Sequence, residues 1–425
     1  LEDKYLVEGG ANLSGTVVIS GSKNASLPLL VASLLSPERS VISGVPYLSD
    51  ISTLIQMLSE LGVQVSRQDH QVIVQARELQ PGDKLCQFAR TMRASFLLMG
   101  ALLARNGGGC LPLPGGCAIG ARPVNLHLDG LAKLGAKISI DKGMVTVQAG
   151  RLRGSEIRLD FPSVGATENI IMAATHARGV TTLINAAAEP EIIDLAQFLN
   201  KMGARVTGAG TPVVQVEGGL PLHGAVHAVI PDRIEAGTYM VAAAATRGQL
   251  RLERIIPEHL QAIISKLREA GVEVDVGASG SDLYVWTPRE FSPLAIETAP
   301  YPGFPTDMQP QFAALLATAA GTSRITETIF ENRFIYTQEL MRMGACIEPC
   351  DDTIIIRGVP RLSPARVKVT DLRAGAALVI AALSTWGKTE IDGIYHLDRG
   401  YEELEDKLIA LGARIRRVTE QAANL

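Results

Sequence analysis

One cysteine of this chain stands apart from the other four. Cys117 lies in the stretch LPLPGGCAIGARPV, directly behind Gly115 and Gly116 and five residues before Arg122. Paired glycines leave the backbone permissive and let another molecule come close. A thiolate is a nucleophile and a proton carrier; a nearby guanidinium favours it and seats an anion beside it. A packing thiol is the default for any cysteine, and it is kept for Cys86, Cys346 and Cys350. Zinc ligation fits poorly, because no second Cys or His sits at ligand spacing and His127 is ten residues away. A reactive thiol suits Cys117 best, with Cys110 as its rival. A second stretch, PYPGFPTDMQPQ at 300–311, presents Asp307 at the start of an apolar segment between prolines. That carboxylate can cap a helix, accept a substrate proton, or do both.

Seven cations complete the set. They are Lys23 in GSKNAS, Arg93 in TMRAS, Arg122 in GARPV, Arg233 in PDRIEAG, Arg333 in ENRF, Arg373 in DLRAG and Arg399 in LDRGY. Each stands just before or at the start of an expected helix. Helix N-termini carry free N–H groups and partial positive charge, and arginine makes forked contacts to carboxylate or phosphate. The expected ligand is therefore strongly anionic and carries more than one acidic group. No GxxxxGK[ST] occurs, and GGGCLPLPGG does not match a dinucleotide fingerprint.

Composition excludes several classes. The 425 residues are 47% hydrophobic and 20% charged, with a net charge of -4, and only 4% are aromatic. Without basic runs or aromatic platforms, no nucleic-acid partner is expected. No apolar stretch reaches the eighteen residues of a membrane span. The opening LEDKYLVEGG lacks the basic and apolar regions of a secretory signal. Five cysteines without a CxxC pair point to reduced thiols and a cytoplasmic setting. No metal and no cofactor is implied.

The elements that must position these groups come from a repeat. LSELGVQV, LAKLGAKI, LNKMGARV, LREAGVEV, LMRMGACI and LIALGARI share Gly62, Gly135, Gly203, Gly271, Gly344 and Gly412, spaced by 73, 68, 68, 73 and 68 residues. Each phrase predicts an amphipathic helix ended by a glycine and followed by a strand. In SDISTLIQMLSELG, Ser49 or Asp50 can cap, and Ile51, Leu54, Ile55, Leu58 and Leu61 form one stripe. Each unit also holds a helix apolar on nearly all faces, such as RAGAALVIAALSTWG or EAGTYMVAAAATRG, which predicts burial. Six units of about seventy residues predict an α/β fold of two pseudo-threefold domains, with buried helices and sheets outside. Equivalent loops would share one end of each domain, and two such ends facing each other would make a cationic cleft.

The blocks GSKNASLPLL, TMRAS, LPGGCAIGARPV, SVGATEN, PDRIEAGT, FPTDMQ, ITETIFENRF, DLRAG and IYHLDRGYE, in this order, closely resemble the UDP-N-acetylglucosamine enolpyruvyl (1-carboxyvinyl) transferases. The resemblance implies a two-domain inside-out α/β barrel and a reaction between phosphoenolpyruvate and the 3-hydroxyl of UDP-N-acetylglucosamine, with loss of phosphate. It implies that Cys117 donates a proton and can carry a covalent phosphoenolpyruvate adduct, and that Asp307 contacts the sugar hydroxyl as base. Lys23, Arg122 and Arg399 would hold the phosphate end of phosphoenolpyruvate. Arg333 and Arg373 would hold its carboxylate side, with Asp371 positioning the cations and Arg93 helping to close the anionic site. Asn24 would meet the sugar or the intermediate, and Ile329 the sugar. Arg122, Pro123, Val124, Asn125 and Leu126 would surround the uracil, and the backbone N–H groups of Ser163, Val164 and Gly165 would face the diphosphate. Asn125 and Phe161 depart from the family pattern at the uridine end, where an acid and a base are common.

The repeat places residues 1–22 and 231–425 in one domain and 23–230 in the other, the latter carrying the Cys117 loop as a lid, with a hinge where the chain crosses. Two rivals remain at this level: a transferase acting on shikimate 3-phosphate, which needs no cysteine lid, and a paralogue that binds the UDP-sugar without turnover.

Overall fold

The computed structural model of the protein describes residues 3–80, 82, 84–114, 124–287 and 290–419. The repeat becomes one motif. A short strand leads into a buried helix, and the chain returns in a second strand parallel to the first. A half-exposed helix and two antiparallel strands follow. Glu156–Arg158, Val164–Ala174, Gly179–Ile184, Pro190–Lys201, Arg205–Thr207 and Val213–Gly218 form one such unit and one four-stranded sheet.

The two helix types separate as their sequences require. In Leu372–Ser384 every residue from Arg373 to Leu383 is buried, so the helix lies inside. In Ser49–Glu60 the buried apolar residues are Ile51, Leu54, Met57 and Leu58, a single stripe. All six repeat glycines follow such helices with φ between +78 and +101, the left-handed region that only glycine enters without strain. Neither Ser49 nor Asp50 caps its helix. The cap position falls to Leu48 with no side-chain bond, and Asp50 turns instead to Lys23, 2.6 Å from its Nζ. A buried ammonium needs a counter-charge more than a helix end needs a cap.

The chain divides into two compact units. The first holds residues 3–20 and 231–419, the second residues 21–114 and 124–230. In the first, the buried helices Arg233–Ala245, Gln309–Leu316 and Leu372–Ser384 pack on one another, surrounded by three four-stranded sheets. Two of these sheets are completed from the far end of the chain. Asp3–Gly9 lies between Gly387–Asp392 and Arg414–Thr419, antiparallel to both, and Ser14–Val18 runs parallel to Gln249–Glu253.

In the second unit the buried helices are Lys23–Ala32, Leu98–Asn106 and Val164–Ala174. Val226–Ala228, the last strand before the chain leaves, pairs in parallel with Arg39–Ser43 near the start. Two of its sheets have four strands. The third has three among the described residues, and helix Leu85–Thr91 packs against its strand Gly108–Pro112. Both units are thus α/β with helices inside and sheets outside. No helix of the described residues is long and apolar enough to cross a membrane.

Candidate functional site

In the first unit the FPTDMQ block opens as a short 3-10 turn, Thr306–Met308, before helix Gln309–Leu316. That helix has no side-chain cap, so Asp307 is not spent on its N-terminus. Its carboxylate is held from two sides. Arg333 Nη2 donates to Oδ1 at 2.8 Å, and Arg373 donates to Oδ2 through Nε at 3.1 Å, its Nη2 lying 3.0 Å away. Arg333 and Arg373 are 3% and 4% exposed. Burial works to lower the pKa of Arg373, but the charge of Asp307, followed by Tyr401 and Asp232, outweighs it and the net shift is upward. The guanidinium stays charged. Arg333 Nε and Arg373 Nη1 are buried without a hydrogen-bond partner among the described residues. Spare donors on paired buried arginines suit an incoming carboxylate.

Asp371 fixes where Arg373 starts. It caps helix Leu372–Ser384, its Oδ1 accepting from the N–H groups of Arg373 at 2.9 Å and Ala374 at 3.1 Å. Arg399 ends the 3-10 helix Ile394–Arg399 and is half-buried. It does not open a helix as its sequence position suggests. Arg333 likewise sits in a turn, four residues ahead of helix Thr337–Arg342.

Two residues here escape sequence reasoning. Glu327 is buried, and its carboxylate accepts from Thr298 Oγ1 at 2.9 Å, Thr306 Oγ1 at 2.7 Å and the N–H groups of Ile329 and Phe330 at 2.9 and 3.2 Å. It thereby sets the turn that carries Ile329. Thr306 in turn accepts from Arg333 Nη1 at 2.8 Å. The available signal was an acid inside the apolar run ITETIF.

In the second unit Lys23 is the first residue of helix Lys23–Ala32, which Ser22 caps, and Asn24 follows it. Arg93 opens the 3-10 helix Arg93–Leu97. Arg233 opens helix Arg233–Ala245 in the first unit. Asn125 begins helix Asn125–Lys133 and is exposed, Leu126 is half-buried, and Val124 is buried just before them. Ser163 caps helix Val164–Ala174 by accepting from the Ala166 N–H at 3.4 Å. Val164 and Gly165 lead that helix, where N–H groups have no acceptor within the helix. Phe161 is exposed two residues before the cap. Cys117, Arg122 and Pro123 lie outside the described residues. The other four cysteines are free. Cys110, Cys346 and Cys350 are exposed rather than packed, and Cys86 is half-buried.

The same N-terminus rests on a buried histidine. A Cβ on Gly165 would lie 3.1 Å from His127 Cε1, so glycine lets the ring approach. Asn169 Oδ1 accepts from the Gly100 N–H at 2.6 Å, so its amide nitrogen donates, to Phe96 O and to His127 Nδ1, both at 2.9 Å. The ring is therefore neutral with its hydrogen on Nε2. Burial, with the charge of Arg93 second, lowers its pKa to about 3. In the unfolded chain the ring titrates near 6.5 and takes up a proton that the native state refuses. Stability is thus whole above that pH and is lost as pH falls toward the native value. At pH 4.5 the loss from this ring is about 2–3 kcal/mol. Urea midpoints at pH 7.5 and 4.5 check this: His127→Gln is expected to lose less between the two than the wild type, and equal losses would refute it.

Comparison with known proteins gives the same outline. The family model for EPSP synthase (3-phosphoshikimate 1-carboxyvinyltransferase) matches residues 7–408. Among curated proteins, UDP-N-acetylglucosamine 1-carboxyvinyltransferase 2 of Carboxydothermus hydrogenoformans is 52% identical over 98% of this chain and all of its own. UDP-N-acetylglucosamine 1-carboxyvinyltransferase 1 of Caldanaerobacter subterraneus subsp. tengcongensis is 50% identical over the same shares. Among solved structures, the enolpyruvyl transferase NikO from Streptomyces tendae superposes with a TM-score of 0.88 at 27% identity, over 99% of this chain and all of that one. EPSP synthase from Acinetobacter baumannii, at 0.78 and 20% with the same coverage, shares the fold. The buried helices, the outer sheets and the full-length identity agree, and the chain belongs to the UDP-N-acetylglucosamine 1-carboxyvinyltransferases of the EPSP synthase family.

Proposed function

We propose that this protein transfers the enolpyruvyl group of phosphoenolpyruvate to the 3-hydroxyl of UDP-N-acetylglucosamine and releases phosphate, in the cytoplasm, as the committing step of peptidoglycan synthesis. The hydroxyl adds to C2 of phosphoenolpyruvate while C3 gains a proton. The tetrahedral adduct then loses phosphate and a methyl proton to leave an enol ether. Cys117 supplies the first proton and can hold phosphoenolpyruvate covalently. Asp307 accepts the proton of the sugar hydroxyl. Lys23, Arg122 and Arg399 neutralise the phosphate, and Arg333, Arg373 and Arg93 the rest of the anion, with Asp371 fixing the start of the Arg373 helix. Asn24 and Ile329 meet the sugar. Pro123, Val124, Asn125 and Leu126 take the uracil, and the N–H groups of Ser163, Val164 and Gly165 take the diphosphate.

The observation that carries this reading is the seat of Asp307. A carboxylate that caps no helix is kept ionised by two buried arginines with spare donors, and it becomes a better base once a second carboxylate shares their charge. The names of relatives at half identity favour the UDP-sugar over shikimate 3-phosphate as acceptor. Phosphate release from phosphoenolpyruvate tests it. Release is expected with UDP-N-acetylglucosamine and not with shikimate 3-phosphate. The reverse result, or no release with either, would overturn the reading.

A further inference from the structure

A cluster of buried charges in the first unit has no part in the chemistry above. Ser20 is the last residue of this unit before the chain crosses at Gly21, and Asp232 follows closely on the return at Pro231. All three polar groups of Ser20 are engaged. Its N–H donates to Glu235 Oε2 at 2.7 Å, and its carbonyl accepts from the Asp232 N–H at 2.9 Å. Its hydroxyl donates to Glu402 Oε2 and accepts from Lys407 Nζ at 2.7 Å. Lys407 Nζ also reaches Glu235 Oε1 at 2.6 Å. Glu235 and Glu402 are buried, 2% and 6% exposed.

Buried ion pairs seldom stabilise more than apolar side chains of the same volume would, but a satisfied polar network fixes one arrangement of the chain. What this network fixes follows from chain distance. Glu402 is three residues after Arg399, in the same unit. Arg399 is one of the three cations to which the proposed function gives the phosphate. The intervening Tyr401 is tied down as well: its hydroxyl lies 2.9 Å from Thr238 Oγ1 and accepts from Gln311 Nε2 at 3.3 Å, and Arg373 lies 5.4 Å from its ring centre. On the other side of Arg399, both carboxylate oxygens of Asp398 accept from Arg417, at 2.6 and 3.0 Å.

We propose that Lys407, Glu235 and Glu402, gathered on Ser20, are positioning residues for phosphoenolpyruvate, holding the segment of their own unit that delivers Arg399. The proposal rests on the function proposed above. It also carries a pH signature. Burial pushes the Glu235 carboxyl up to about 7, with Lys407 and the Ser20 N–H pulling it down and Asp232 pushing it further up. The groups facing it are Ser20 and Asp232 at the crossings, Lys407 from helix Leu404–Ala410 and Tyr239 from its own helix. As pH falls through neutrality Glu235 takes a proton and its bond to Lys407 loses charge assistance.

The test is steady-state phosphate release by the full chain from pH 6 to 9, for the wild type, Lys407→Met, Lys407→Arg and Glu235→Gln, with melting temperatures alongside. Lys407→Met is expected to lower kcat/KM for phosphoenolpyruvate by about tenfold or more while leaving KM for the UDP-sugar within about twofold. Lys407→Arg is expected to recover most of that loss, since it restores the charge and the donors. Glu235→Gln is expected to remove the ionisation near pH 7 from the phosphoenolpyruvate profile, a readout that does not need Lys407→Met to fold. Wild-type phosphoenolpyruvate kinetics and pH profile in both Lys407→Met and Glu235→Gln would overturn the positioning role alone. So would equal losses for both substrates in step with lost folded protein. A wild type that releases no phosphate would overturn the function, and the cluster's role with it.

Discussion

Asparagine at position 307 is expected to lower kcat by about 10³-fold while phosphoenolpyruvate still binds, at least as tightly as before. The two effects separate because Asp307 does two things. As a base it takes the sugar proton, and an amide cannot. As a counter-ion it balances Arg333 and Arg373, both almost fully buried. Asparagine keeps the shape but leaves these three groups with one more positive charge. A carboxylate entering the site then meets two arginines without a competing anion, and the free protein is less stable. Removing one partner of a buried pair commonly costs about 3–5 kcal/mol. Single-turnover phosphate release and calorimetric titration of phosphoenolpyruvate would show both sides. Turnover within about tenfold of wild type would remove Asp307 from its role as base.

The largest effect on folding is expected at Asn169, which ends the SVGATEN block one helical turn beyond Gly165. Its side chain makes three buried hydrogen bonds, to Gly100 N, Phe96 O and His127 Nδ1. These join helix Val164–Ala174 to three neighbours, helix Leu98–Asn106 through Gly100, the 3-10 helix Arg93–Leu97 through Phe96 and helix Asn125–Lys133 through His127, and the approach is close: a Cβ on Gly100 would lie 2.4 Å from the Asn169 carbonyl oxygen. Alanine at 169 strands all three partners in a space too tight to readjust. At about 1–3 kcal/mol for each unsatisfied buried group, a loss of about 4 kcal/mol or more is expected. Urea denaturation followed by tryptophan-independent circular dichroism would measure it, and a loss below about 1 kcal/mol would show that water or repacking satisfies those groups. Asn169→Asp is a useful companion, because it keeps an acceptor for Gly100 but cannot donate to Phe96.

Local pattern carried the architecture and proton chemistry did not. Gly62 and its five counterparts could be read as helix ends because a left-handed φ is a property of one residue. The buried helices could be read because an all-round apolar face admits no other place. Ser49 and Asp50 both suit a cap by local spacing, which cannot see Lys23, whose pull on Asp50 comes from another segment. Asp307 escaped its capping role for the same reason, with Arg333 and Arg373 lying 26 and 66 residues away. Glu327 leaves only a faint mark, an acid close to Ile325, Ile329 and Phe330, and the Ser20–Glu402 bond leaves none: its partners are 382 positions apart and meet only once the repeats have closed. Cys346 and Cys350 look like core thiols in composition, but the alternation of their strand turns both outward.

The pairing of early strands with late ones has a consequence during synthesis. Residues 21–230 include both partners of the Val226–Ala228 pairing, so this segment can fold as soon as the ribosome has released it. Ser14–Val18 and Asp3–Gly9 are made before their partners and must wait, one for Gln249–Glu253 and the other for Gly387–Asp392 and then Arg414–Thr419. Ser14–Val18 therefore stays unpaired until Gln249–Glu253 has been made, and Asp3–Gly9 until Gly387–Asp392 has, and over those stretches of translation their polar edges stay open to other chains.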